Sequence, residues 1–208
     1  MRLTKYGHAC VRLDKDGSTL VLDPGVFTDT GTALEGANAV LVTHEHPDHV
    51  NADALRSACA ADPSLRVYAH ADVAAALAGV PVTAVGVGDS FDAAGFSVRA
   101  YGGRHAEVYG GLPGIANLGF LVDGAVYHPG DSADLPDVPP PVLLIPVSGP
   151  WVKLGEMIDM VRNAKPDLAV PIHDGVLNDI GNSLVDGWFS TQGGTDYRRL
   201  DPTESLTL

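Results

Sequence analysis

Short apolar runs interrupted by glycine, proline and aspartate set the rhythm of this chain. Val11-Arg12-Leu13 and Thr19-Leu20-Val21-Leu22 flank Asp14-Lys15-Asp16-Gly17, which predicts a β-hairpin closing at Asp23-Pro24-Gly25. Ala39-Val40-Leu41-Val42-Thr43 is apolar without alternation, as in a strand covered on both faces. Residues after Asn51 have helical character as far as Pro63, 66–69 read as a short strand, and 71–77 as a short Ala-rich helix. Residues 96–101 alternate as a strand. Residues 118–122 and 125–128, joined by Asp123-Gly124, form the clearest hairpin. Residues 142–145 are a further buried strand. Leu154, Met157, Ile158, Val161 and Lys165 share one face of a helix that must stop before Pro166. A strand at 168–172, a helical stretch around 184–189 and a short tail complete the pattern. His8 is placed on a strand, with Cys10 and Arg12 on its face and Ala9, Val11 and Leu13 on the other.

No linker, repeat or low-complexity tract interrupts this pattern, which predicts a single domain over 1–208. Strands come first and strand–helix units follow. Two sheets with helices outside satisfy that order, as do other α/β layouts. Gly 24 and Pro 15 make up about a fifth of the 208 residues, against roughly 12% on average, so turns are frequent. Thirteen Lys and Arg against 26 Asp and Glu give a net charge of −13, which argues against nucleic acid and anionic membranes as partners. The start has no apolar leader segment and no run of about 18 apolar residues occurs, which predicts a cytoplasmic protein. Cys10 and Cys59, with no CxxC spacing, read as reduced thiols.

The chemistry concentrates in Thr43-His44-Glu45-His46-Pro47-Asp48-His49, a strand-to-helix loop. Imidazole nitrogens and carboxylate oxygens at this density suit Zn²⁺, Mn²⁺ or Fe²⁺. His44 and His46 can converge on one ion from extended backbone. Asp48 and His49, beyond the turn at Pro47, can face a second. A polar loop with hydrogen-bonded histidines is the plainer alternative.

This segment resembles the signature of the metallo-β-lactamase superfamily, and in particular its small ascorbate-6-phosphate lactonase-like branch, which shares a Gly-His-Ala-type start (here Gly7-His8-Ala9). Arg104-His105 after Gly102-Gly103, Gly130-Asp131 after a hairpin strand, and Pro171-Ile172-His173 at a late strand end fit the family's remaining ligand positions. The resemblance spans essentially the whole chain. It implies an α/β fold, a four-layer αββα sandwich with the metal site at one edge of the two sheets. It also implies two sites: His44, His46 and His105 in one, Asp48, His49 and His173 in the other, with Asp131 bridging them and Asp23 supporting from behind.

Two divalent ions (zinc first, manganese or iron as alternatives) and two aspartates leave a net charge of about +2, a cationic pocket in an acidic protein. The expected function is a dinuclear metal-dependent hydrolase that activates water against a small anionic ester, lactone or phosphodiester, with Asp48 orienting the nucleophile. Its partner would be a small molecule, not nucleic acid or membrane, and the family also suggests a homo-oligomer. A non-catalytic metal-binding or ligand-sensing module is the alternative. His8 and His128 are assigned to hydrogen bonding and packing near the site, and His70 to a helix cap. Trp151 is a candidate pocket wall. Lys153, Glu107, Tyr109 and Asn117 are candidate substrate contacts, with ordinary surface or loop roles as the alternative.

Overall fold

A computed structural model describes residues 1–112 and 114–208. In chain order the elements are β1 (Arg2–Gly7), β2 (Cys10–Lys15), β3 (Ser18–Leu22), α1 (Thr30–Leu34), β4 (Ala39–Val42), α2 (Ala52–Ala61), β5 (Arg66–Ala69), α3 (Ala71–Ala76), β6 (Val82–Ala84), β7 (Ser90–Ala93), β8 (Phe96–Gly102), β9 (Leu118–Val122), β10 (Val126–His128), β11 (Val142–Pro146), α4 (Leu154–Ala164), β12 (Leu168–Ile172), α5 (Asp179–Gln192), β13 (Asp196–Tyr197) and β14 (Ser205–Thr207). The strands form two seven-stranded mixed sheets, ordered β14-β1-β2-β3-β4-β5-β6 and β13-β12-β11-β10-β9-β8-β7.

The period of two along each strand divides the core into three layers. Val11 and Leu13 of β2, Ala39 and Leu41 of β4, Phe96 and Val98 of β8, and Val170 and Ile172 of β12 meet between the sheets. Val40 and Val42 turn to the other side, where Leu55 and Cys59 of α2 and Val73 of α3 cover them. Leu143 and Ile145 of β11 likewise meet Met157, Val161 and Phe189 of α4 and α5. Helices outside two stacked sheets make the expected αββα sandwich. Full burial of each Leu, Val or Phe side chain stabilises by about 1.5–3 kcal/mol, so the three layers rather than the short helices dominate the driving force.

Local chemistry fixes the turns and helix ends. Asp16-Gly17 and Asp123-Gly124 both take positive φ, as two-residue hairpin turns require. The Asn51 side chain caps α2 by accepting from the Ala54 amide at 3.1 Å. Lys165 adopts the left-handed conformation that ends α4 just before Pro166.

One expectation needs correction and two are extended. His8 is not on a strand: with φ +45 after Gly7 at φ +121, it sits in the turn between β1 and β2. The final helix runs over Asp179–Gln192, far beyond 184–189. The short tail carries a further strand: β14 pairs antiparallel with β1. Behind it, the buried Lys5 ammonium and the Arg199 guanidinium both donate to Asp174, and Arg199 also grips Asp186 at 2.7–2.9 Å.

Candidate metal centre

Strand direction brings the predicted ligands together. β1, β3 and β4 of one sheet run the same way, as do β8, β10 and β12 of the other. His8, Asp23, His44, His105, Asp131 and His173 all follow the C-terminal ends of these strands, so both sheets deliver polar side chains to one edge. Two clusters result, each with its ligand atoms within 4.8 Å of one another. One is His44, His46, His105 and Asp131; the other is His8, Asp48, His49 and His173.

In the first cluster each outer hydrogen bond sets a tautomer. Thr43 Oγ1 donates to Asp23 Oδ2 at 2.7 Å, so it accepts from His44 Nδ1 at 3.0 Å and leaves His44 Nε2 as a lone pair. That lone pair stands 3.0 Å from His46 Nδ1. His105 Nδ1 donates to the Ala106 carbonyl at 2.6 Å, which leaves Nε2 facing Asp131 Oδ2 at 3.2 Å.

In the second cluster, His49 Nδ1 donates to Asp23 Oδ2 at 2.7 Å and presents Nε2 to Asp131 Oδ1 at 3.0 Å. His173 Nε2 lies 3.1 Å from Asp131 Oδ2 and 3.5 Å from Asp48 Oδ2. Asp131 therefore faces His105 of one cluster and His49 and His173 of the other. Asn117 fixes it there, accepting from the Asp131 amide and donating to the Pro129 carbonyl, both at 2.9 Å. Gly130 is required between them: it has φ +62, and a Cβ would lie 2.2 Å from Asn117 Oδ1.

The donor set fits divalent metal. Among the described residues, His49 Nε2, Asp131 Oδ1 and both His173 ring nitrogens are buried and make no well-aligned hydrogen bond despite their close approaches, a costly arrangement for polar atoms unless a cation takes their lone pairs. Burial and neighbouring histidines hold His44 well below the usual imidazole range, which keeps it a neutral donor. Asp131 and Asp48 are buried, which opposes their ionisation, but the surrounding histidines hold both below the usual carboxylate range. Burial opposes a charge on His49 and His173 too, yet the facing aspartates push them up to about 10 and about 9. The pair of carboxylates thus demands positive charge at this edge.

Residues around the clusters resolve into distinct parts. Gly175 N–H donates to His8 Nδ1 at 3.1 Å, so His8 Nε2 carries the proton and donates to Asp48 Oδ2 at 3.1 Å. His8 is a holder of Asp48, and burial keeps it neutral. Both nitrogens of His128 are committed, Nδ1 accepting from Gly130 N–H at 3.0 Å and Nε2 donating to the Ala9 carbonyl at 2.9 Å. His128→Ala should therefore leave metal content at the wild-type value while costing about 2–4 kcal/mol in denaturant unfolding. Loss of an ion by elemental analysis would make it a ligand after all.

His70 caps α3. Asn117, a candidate substrate contact, is fully buried and holds backbone instead. Lys153 is exposed and pairs with Glu156 at 2.8 Å, and Tyr109 stands in solvent. Trp151 and Glu107 do line the cavity over the clusters, a space of about 640 Å³ shared by Arg104, Leu112, Ile115 and Pro150. Trp151 sets its ring edge-on to His105 and His173 at 5.7 and 6.0 Å.

Comparison with known proteins agrees with this architecture. The profile of the Beta-lactamase superfamily domain matches residues 2–173. Protein Rv0786c of Mycobacterium tuberculosis is 34% identical over 213 residues, covering the whole of both chains. A UPF0173 metal-dependent hydrolase of Agrobacterium fabrum is 29% identical over all of this chain and 99% of its own. Among solved structures, a novel metallo hydrolase from the hyperthermophilic archaeon Ignicoccus hospitalis superposes with a TM-score of 0.76 at 20% identity, over 99% of this chain and 97% of that one.

Proposed function

The chain belongs to the beta-lactamase superfamily, and from that premise we propose that it is a hydrolase that works with two divalent metal ions. The observation that carries the reading is Asp131, whose two oxygens face both histidine clusters within 3.2 Å. His44, His46 and His105 would hold one ion, Asp48, His49 and His173 the other, and Asp131 both. When bound, such ions (zinc first, manganese or iron next) supply Lewis acidity and lower the pKa of water from about 15.7 to about 7.

The chain's own residues do the rest. His8 fixes Asp48 through Oδ2, which leaves Oδ1 to accept a hydrogen bond from a water and orient it. Trp151 closes one wall of the cavity against solvent. Arg104 is the one Lys or Arg that lines the cavity among the described residues, and Leu112 and Ile115 give the same cavity apolar lining. A lining that combines a guanidinium, the proposed metal charge and apolar side chains suits a small ester, lactone or phosphodiester that carries an anionic group.

The direct test is hydrolysis of mono-p-nitrophenyl succinate, p-nitrophenyl butyrate and bis-p-nitrophenyl phosphate by metal-loaded and chelated protein. Metal-dependent turnover of any one supports the reading. No turnover of these substrates at full metal occupancy moves the assignment to a non-catalytic metal-binding module. Arg104→Gln should lower kcat/KM for the succinate ester by about 10- to 100-fold while sparing the neutral butyrate, the loss expected for one charge-assisted hydrogen bond.

Metal uptake should also be pH-dependent. His49 and His173, raised to about 10 and about 9, carry protons at neutral pH, and these must leave before the nitrogens can coordinate. Zinc affinity is expected to rise with pH from 6 to 9, with proton release seen by calorimetry in buffers of different ionisation enthalpy. A flat profile would contradict it.

A further inference from the structure

α5 presents an outward face with an unusual composition. Its buried side, Val185 and Phe189, packs on the second sheet's outer layer, and its start is capped by Asn178. The opposite side is the set Ile180, Ser183, Leu184, Gly187, Trp188 and Thr191, at i, i+3, i+4, i+7, i+8 and i+11, all exposed. None of the six is charged, in a chain of net charge −13. Ile180, Leu184 and Trp188 are 79%, 56% and 51% exposed, and Val176, just before the helix, is 60% exposed. The two acids of the helix, Asp179 and Asp186, fall outside this set, and Asp186 is held by Arg199. A surface helix of a monomer carries its charges here.

We propose that this face of α5 is a two-fold interface with a second copy of the same chain. Three observations select that occupant. The face has a column of large residues (Ile180, Leu184, Trp188) beside a column of small ones (Ser183, Gly187, Thr191). When two such helices cross, the large column of each copy fits the small column of the other, the self-complementarity an isologous contact needs. Two copies each bearing −13 approach with least repulsion where neither bears charge, whereas a cationic partner would seek the acidic surface elsewhere.

The area is also sufficient. The four apolar side chains expose the equivalent of about two and a half whole side chains, roughly 450 Å² at ~150–250 Å² for a large one. A stable interface covers about 800 Å² per partner, rather more than half of it non-polar, so these side chains supply its non-polar part, with Ser183 and Thr191 beside them contributing polar surface.

The full-length chain in size-exclusion chromatography with light scattering should show twice the 21.6 kDa of one copy at micromolar concentration. Leu184→Glu places like charges across the two-fold and should give a species of 21.6 kDa with unchanged circular dichroism and metal content. Gly187→Cys, near the crossing point, should form an intermolecular disulfide under mild oxidant while Cys10 and Cys59 stay buried and reduced. A wild-type monomer at every concentration overturns the proposal and leaves the face to another protein. A dimer that survives Leu184→Glu and yields no Gly187→Cys cross-link overturns it as well, by locating the contact elsewhere. Neither result depends on hydrolysis, so the interface and the enzymatic reading stand or fall separately.

Discussion

Replacing Asp131 with alanine is expected to empty the centre of metal and to lower kcat/KM by far more than a hundredfold. The loss of an outer supporting group costs 10–100-fold, and Asp131 stands in direct reach of both clusters. Without it, His49 Nε2, His105 Nε2 and His173 Nε2 lose their common anion, and the two proposed ions would lose negative charge that offsets their repulsion. Asp131→Asn is the matched control for shape. It keeps the volume and the Asn117 hydrogen bond to its backbone amide but replaces one oxygen with an NH₂ aimed at an imidazole lone pair. Both variants should show the same loss of metal by elemental analysis, with near-native circular dichroism. Retention of two ions in Asp131→Ala would remove the bridging role.

The second large effect is expected at Asp23, which touches no proposed ion. It is fully buried and accepts from the Thr43 amide at 2.8 Å, from Thr43 Oγ1 at 2.7 Å and from His49 Nδ1 at 2.7 Å. Through Thr43 it also sets the tautomer of His44. One carboxylate thus orients a histidine of each cluster. Asp23→Ala should cost about 3–5 kcal/mol in unfolding free energy, because it orphans buried donors, and 10–100-fold in metal affinity. Asp23→Asn separates the two effects. Its amide can place an N–H where the His49 Nδ1 proton points, which favours the tautomer with the proton on Nε2, the nitrogen needed for metal. Weakened metal binding in a nearly stable Asp23→Asn protein is the expected signature. Unchanged affinity would reduce Asp23 to a structural acceptor.

Much of this centre was legible in the sequence, because strand ends are local features. An apolar run followed by His44-Glu45-His46, or by His173, announces a side chain delivered at a sheet edge, and the two-residue turns at Asp16-Gly17 and Asp123-Gly124 set the neighbouring registers. What the sequence hid depends on distant partners. His8 reads as a strand residue by alternation, and only its bond to Gly175, 167 residues away, identifies the turn and its hold on Asp48. Asn117 resembles a loop residue until its bonds to Pro129 and Asp131 are seen. β14 is too short to announce itself and exists because β1 offers a free edge. The full length of α5 was obscured because its outer face is apolar like its inner one, which blurs the helical period.

If this edge holds two divalent ions through a shared aspartate, metal stoichiometry will report it. Elemental analysis of untagged protein purified without chelators, repeated after incubation with Zn²⁺ or Mn²⁺, should give two ions per chain. One ion would contradict the shared centre and put Asp48, His49 and His173 outside it, and none after incubation would contradict metal-dependent hydrolysis altogether.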